Sequence, residues 1–231
     1  MTNLSLLKLY NNIDVHTLNK YIDHTNLKNN AMLSDIERLC KEAIEYDFAS
    51  VCVYPYYVPV VYNLLKGSGV NVCTVIGFPS GMTTTKTKVY EAKEAVENGA
   101  TEIDMVINIS ALKNKDYDYV KNEIVEIRDV VNGNILKVII ETCLLNEEEI
   151  VVMTEICNET CVDFIKTSTG FSEYGARVED VELINKYKSE KLQIKASGGI
   201  KDIDTAIDMI ESGATRIGTS NGVKIINEKA S

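Results

Sequence analysis

The sequence predicts a single-domain α/β protein built as a (β/α)8 TIM barrel. Three observations carry that expectation. Eight short β-rich runs alternate with helical patterns along the 231 residues, a length that single barrels commonly have. Several of these runs place apolar residues on one face and charges on the other. A block also repeats at about half the chain length: Glu97-Asn-Gly-Ala-Thr-Glu-Ile-Asp104 resembles Glu211-Ser-Gly-Ala-Thr-Arg-Ile-Gly218, 114 residues further on.

In chain order, residues 1–19 are expected to be helical and to pack on or cap the barrel. The first run is Lys20–Asp23. Ser34-Asp-Ile-Glu37 has the form of a capping box, followed by Leu39, Cys40, Ala43 and Ile44 at helical spacing. Runs two and three are Ala49–Tyr54 and Asn71–Phe78. Val89, Ala92, Ala95 and Val96 make a helical stripe that stops at Gly99, a C-cap glycine. Glu102–Ile107 and Ile135–Glu141 follow. Asn146 caps a helix whose first turn, Glu147 to Glu149, suits the positive end of the helix dipole. Cys161–Thr167 and Leu192–Ser197 come next. Ile203, Ala206, Ile207 and Ile210 share a face before Gly213, and Thr215–Thr219 is the last run. Such alternation implies a parallel sheet with helices outside it, and eight repeats favour closure.

Composition narrows the partners. Apolar residues make up 45% of the chain, and the net charge is -10. That sign argues against nucleic acid and against an anionic membrane. A small anion is still admissible, because clustered backbone N–H groups override the global sign locally. The start, Met1 to Asn12, lacks the apolar core of a secretory signal, and no run approaches a membrane span, so a cytoplasmic location is expected. Six cysteines form no CxxC pair, and His16 and His24 are the only histidines. Buried thiols are therefore expected, and neither a metal nor a cofactor.

Alternation along the strands then selects candidates. On Glu102–Asn108, Asp104 opposes Ile103 and Met105. On Ile135–Glu141, Lys137 and Glu141 oppose Leu136, Val138 and Ile140. On Leu192–Ser197, Lys195 opposes Ile194 and Ala196, and Lys166 shares a face with Phe164. The apolar faces should meet the helices. Asp104, Lys137, Lys166 and Lys195 should therefore converge inside, where lone charges are costly and must pair or change protonation. A salt-bridge network is one outcome. The other is chemistry: an amine crowded by cations gives up its proton more easily and attacks carbonyls, and a carboxylate beside it moves protons. This pattern leaves Lys166 and Lys195 equivalent.

Phosphate sites in barrels often lie after the seventh and eighth strands. Here those runs enter Ser197-Gly198-Gly199 and Gly218-Thr-Ser-Asn-Gly222, with a helix start expected at Ser220. Lys166-Thr-Ser-Thr-Gly170 could add a third wall. Glycines admit a phosphate to the backbone, and a helix start offers it free N–H groups.

Five motifs together resemble the deoxyribose-phosphate aldolase family: Val162-Asp-Phe-Ile-Lys-Thr-Ser-Thr-Gly-Phe171, Ile194-Lys-Ala-Ser-Gly-Gly-Ile200, Glu102-Ile-Asp-Met-Val-Ile-Asn108, Lys137-Val-Ile-Ile-Glu-Thr-Cys-Leu-Leu145 and Val75-Ile-Gly-Phe-Pro-Ser-Gly81. The resemblance runs from Tyr21-Ile-Asp-His-Thr25 to Gly218-Thr-Ser-Asn-Gly222. It implies a class I, Schiff-base aldolase that reversibly cleaves 2-deoxy-D-ribose 5-phosphate to D-glyceraldehyde 3-phosphate and acetaldehyde. It places the Schiff base on Lys166, which breaks the tie, and proton transfer on Asp104 and Lys195. Substrate contacts are implied at Asp23, Thr25, Cys52 and Lys137. Phosphate contacts are implied at Thr169, Gly170, Gly198, Gly199, Ser220 and Asn221. No metal is implied, and a homodimer is the assembly that the resemblance suggests.

Two departures stand out: Asn221 replaces a serine common in the family, and the tail from Ile225 has no tyrosine of the kind some members use. Three rival readings are another Schiff-base barrel acting on a ketose or ketoacid, a catalytically dead sugar-phosphate sensor, and an isomerase with a carboxylate base. Product analysis separates the first. The second needs a broken catalytic set, and the third leaves the inward lysines unexplained.

Overall fold

The computed structural model describes residues 15–229. The predicted helical segment at 1–19 falls largely outside that range. Its described end is a 3-10 helix, Val15–Tyr21, so the first strand starts later than expected. The strands are β1 Ile22–Asn26, β2 Ser50–Val53, β3 Asn71–Ile76, β4 Glu102–Val106, β5 Ile135–Ile139, β6 Phe164–Lys166, β7 Gln193–Ser197 and β8 Arg216–Thr219. They pair in parallel, each with the next, and β8 closes on β1.

Between them lie α1 Leu33–Glu45, α2 Val58–Leu65, α3 Thr85–Glu97, α4 Ile109–Lys113, α5 Tyr117–Val131, α6 Glu147–Glu159, α7 Val178–Tyr187, α8 Ile203–Glu211 and α9 Gly222–Lys229. Asn146 caps α6 as expected, accepting the Glu149 N–H at 2.9 Å while Glu149 accepts the Asn146 N–H. Ser34 does not cap α1. The helix starts one residue before it, and the Asp35 carboxylate takes the Met32 N–H at 3.0 Å. An acidic side chain inside the first turn serves the free donors there better than a hydroxyl within the helix could. The last helix begins at Gly222, two residues after the expected Ser220.

Apolar strand residues such as Val51, Ile103, Met105, Leu136, Val138, Ile165, Ile194 and Ile217 point outward into one continuous core shared with the helices. Each such side chain contributes about 1.5–3 kcal/mol on burial. That annulus is what allows the inside of the barrel to be ionic, since each buried ion costs several kcal/mol. Leu27, Cys52, Cys73 and Val75 form a separate small apolar cluster. Among the described residues, one fully buried ion pair lies outside the ring, Lys88 on α3 with Glu123 on α5 at 2.9 Å. Among the described residues, no helix is long and apolar enough to cross a membrane.

Four cysteines are buried, as expected of structural thiols, but Cys143 is half-buried and Cys161 is exposed. His24, in the middle of β1, points outward and hydrogen-bonds Glu42 of α1 at 2.7 Å.

Candidate active site

Asp104 on β4 is the centre of the barrel interior. Lys166 of β6 and Lys195 of β7 both reach its Oδ2, each at 2.7 Å. Lys137 of β5 reaches Oδ1 at 2.8 Å. Strand register explains the convergence: Asp104 pairs with Lys137, and Lys166 pairs with Lys195. Gly218 on β8 leaves room for this, because a Cβ there would lie 3.1 Å from Lys195 Cε and 2.8 Å from Ser197 Cβ.

A second layer completes the network. Asp23 accepts from Arg216 at 2.6 Å and from the Ser50 hydroxyl at 2.6 Å. Its Oδ2 meets Lys195 at 2.5 Å as an ion pair without hydrogen-bond alignment. Glu102 lies 2.5 Å from Lys137 and 3.0 Å from Arg216. Cys73 Sγ sits between Lys137 and Asp104, 3.3 Å from each.

Burial would raise the carboxyls of Asp23 and Asp104. The surrounding lysines, joined at Asp23 by Arg216, outweigh it and hold both well below the usual carboxylate range. Burial would likewise discharge Lys137 and Lys195, but Asp104, with Asp23 and other anions, overcomes it and keeps both charged. Lys195 is therefore a standing cation, and Asp104 a standing anion.

Cys52, Cys73 and Asp104 bring donor atoms within 4.8 Å of one another, as do Asp23, Cys73 and Glu102. A metal ion there would have to displace ammonium and guanidinium groups already paired with those carboxylates.

Above this network a cavity of about 520 Å3 opens at the C-terminal ends of the strands, and Lys166 lies at its base. Thr25, Thr169, Gly170, Gly198, Gly199, Ser220 and Asn221 all line it. Asp23, Cys52 and Lys137 do not reach the wall; they are fully buried beneath it. The loops after β6 and β7 cross back to back. A Cβ on Gly175 would lie 2.1 Å from the Gly198 carbonyl oxygen, and Gly198 itself has φ +83. No larger residue fits that crossing.

Two expected phosphate donors are already engaged. Thr169 gives its N–H and hydroxyl to Glu141, whose left-handed φ of +56 turns it out of the strand pattern. Asn221 gives its N–H to Thr219 Oγ1 at 2.9 Å. Across the mouth, Phe171 packs edge-on against Phe78 with centroids 5.3 Å apart.

Neither Glu102 nor Arg216 stands out from alternation along the strands. Glu102 shares its face with Asp104 two residues on, so its signal was present. Arg216 shares its face with Gly218, and only closure of β8 on β1 places it beside Asp23.

A barrel with a buried lysine–carboxylate centre below an open, glycine-lined mouth defines an enzyme of the aldolase class. Residues 17–228 match the model of the DeoC/LacD family of aldolases, and the chain belongs to that family. A deoxyribose-phosphate aldolase from Finegoldia magna is 56% identical over 209 residues, covering 90% of this chain and 98% of the relative. One from Clostridium kluyveri is 52% identical, covering 94% of this chain and all of the relative. A solved structure from Coccidioides immitis superposes with a TM-score of 0.92 at 42% identity, covering 95% of this chain and 88% of that one. The deoxyribose phosphate aldolase from Aeropyrum pernix, described as a tetramer, gives 0.88 at 31% identity, covering 94% and 92%.

Proposed function

We propose that the chain reversibly cleaves 2-deoxy-D-ribose 5-phosphate to D-glyceraldehyde 3-phosphate and acetaldehyde through a Schiff base on Lys166. The observation that carries this reading is the shared oxygen: Lys166, at the base of the cavity, and Lys195 meet the same Asp104 Oδ2. The phosphate is held over Gly198, Gly199 and the start of α9, where backbone N–H groups suit an anion.

Lys166 attacks the open-chain C1 aldehyde as a free amine and forms a carbinolamine. Loss of water gives the iminium. The C3 hydroxyl then loses its proton and the C2–C3 bond breaks, its electron pair flowing to the iminium nitrogen. The bond is C2–C3 and not C3–C4, because the products carry two and three carbons. Glyceraldehyde 3-phosphate leaves an enamine behind. Protonation of the enamine carbon and hydrolysis release acetaldehyde and the amine.

Asp104 and Lys195 divide the proton traffic. Asp104 stays ionised and accepts protons only in passing, while charged Lys195 donates across the shared oxygen. Thr25 stands on the cavity wall to meet a substrate hydroxyl. Asp23, Cys52 and Lys137 act from below, by fixing Lys195 and Asp104.

The test is borohydride reduction with acetaldehyde, followed by peptide mass mapping. A reduced adduct on Lys166 is expected. No adduct on any lysine, together with activity lost to chelators, would overturn the reading.

A further inference from the structure

We infer that Arg216 is a positioning residue: by sharing Asp23 with Lys195 and Glu102 with Lys137, it gives the interior one cation more than it has carboxylates and leaves Lys166, paired with Asp104 alone, to bear that excess. The inference deepens the Schiff-base reading and rests on it.

The interior network holds three carboxylates, from β1 and β4, and four cationic side chains, from β5, β6, β7 and β8. One positive charge is in excess. Arginine does not give up its proton in proteins, so the deficit falls on a lysine. Lys137 lies near Asp23, Glu102 and Asp104, and Lys195 near Asp23 and Asp104. Among the ion pairs of the described residues, Lys166 has Asp104 alone, and it is the lysine that opens to the cavity. Three cations also stand in one row, since Lys166 pairs in register with Lys195 and Lys195 with Arg216. The guanidinium is fixed in that row by two carboxylates and by the Phe164 ring, 5.1 Å away.

Other titratable groups facing this network do not supply the missing anion. Burial pushes the Cys73 thiol up, which keeps it protonated. Glu141 lies beyond β5 and is turned onto Thr169. Cys52 on β2 is the remaining candidate, and the test includes it. Without Arg216, three lysines and three carboxylates balance, and no amine has to lose its proton.

The experiment compares pH profiles of kcat/KM for 2-deoxyribose 5-phosphate, whose acid limb reports the free nucleophile. Arg216→Met is expected to move that limb to higher pH by about one unit or more, with activity recovering in alkali. Arg216→Lys keeps a charge beside Asp23 and Glu102 but one that can give up its proton, so it should displace the limb less than Arg216→Met does. Adding Glu102→Gln to Arg216→Met restores the excess charge and should return it, while Glu102→Gln alone should move it to lower pH. The Arg216→Met shift should persist in a Cys52→Ser background.

An Arg216→Met enzyme that loses activity equally at every pH would overturn the inference, as would a double variant whose limb stays displaced or a shift that vanishes with Cys52→Ser. Should Arg216→Met fail to fold by circular dichroism, Glu102→Gln decides: a limb that does not move down overturns it. Borohydride trapping on the unaltered protein separates the two levels. No adduct on Lys166 removes the Schiff base itself; an adduct with unmoved limbs removes only the role of Arg216.

Discussion

Lys166 and Lys195 donate to one and the same oxygen, Asp104 Oδ2, each at 2.7 Å. Two like charges about 4 Å apart repel by roughly 4 kcal/mol at an effective dielectric of 20. Lys195 has a second carboxylate, Asp23, at 2.5 Å, whereas the only ion pair of Lys166 among the described residues is with Asp104. Lys166 is therefore the less compensated of the two. Replacing Lys195 by Leu should lower kcat by roughly 10²–10⁴-fold while still allowing slow borohydride trapping at Lys166. Trapping that needs Lys195 and survives without Lys166 would reverse the assignment.

Asp104→Asn keeps the shape and removes the charge. Turnover should fall by about 10²–10⁴-fold, because proton transfer loses its acceptor. Stability should also fall by about 3–5 kcal/mol, since three buried lysines lose their common partner. Urea unfolding and steady-state kinetics measure the two losses separately.

The response to acid follows from the depressed carboxyls. Asp23 and Asp104 titrate lower in the folded chain than in the unfolded one. Their stabilisation is complete above the unfolded value near 3.9 and is lost as pH falls towards the folded values. Lys137 and Lys195, raised by their anions, mirror this: their share is complete below about 10.4 and is lost as pH rises through the folded values. Thermal unfolding should show a broad plateau between these limits and a cooperative loss below about pH 4.

For Lys88 and Glu123, burial wins over pairing. It lowers the amine and raises the carboxyl, so both are pushed towards neutrality despite the 2.9 Å contact. Lys88→Met alone should cost about 3–5 kcal/mol, because it strands a buried carboxylate. Combining it with Glu123→Leu should recover part of that loss. Full recovery is not expected, since Glu123 also accepts the Asn108 N–H and Lys88 donates to the Val106 carbonyl.

Thr219 controls the loop beneath the proposed phosphate. Its Oγ1 accepts the Asn221 N–H and donates to the Ile200 carbonyl at 2.7 Å. Thr219→Val should raise KM for the sugar phosphate several-fold and leave the rate of acetaldehyde trapping nearly unchanged. Equal losses in both assays would place the effect at Lys166 instead.

The fold was legible because period-two alternation survives in the strands: Asp104, Lys137, Lys166 and Lys195 are all drawn inward by it. Helix starts were read less well. Ser34 lost to Asp35 because the free N–H groups are satisfied by whichever acceptor has the right reach, a choice of one residue that spacing does not resolve. Glu102 and Arg216 were overlooked for another reason. Their role is defined by each other, across strands far apart in sequence, and no window along the chain contains both. Glu141 has a third: a left-handed backbone turn ends its strand pattern two residues early.

Asp23 belongs to the first strand of the barrel and Arg216 to the last, and they meet at 2.6 Å only when the ring closes. The counter-ions of the interior are thus delivered by opposite ends of the polypeptide. Closing the ring and pairing its charges are therefore a single event, and a chain that lacks either end lacks the counter-ion for the other.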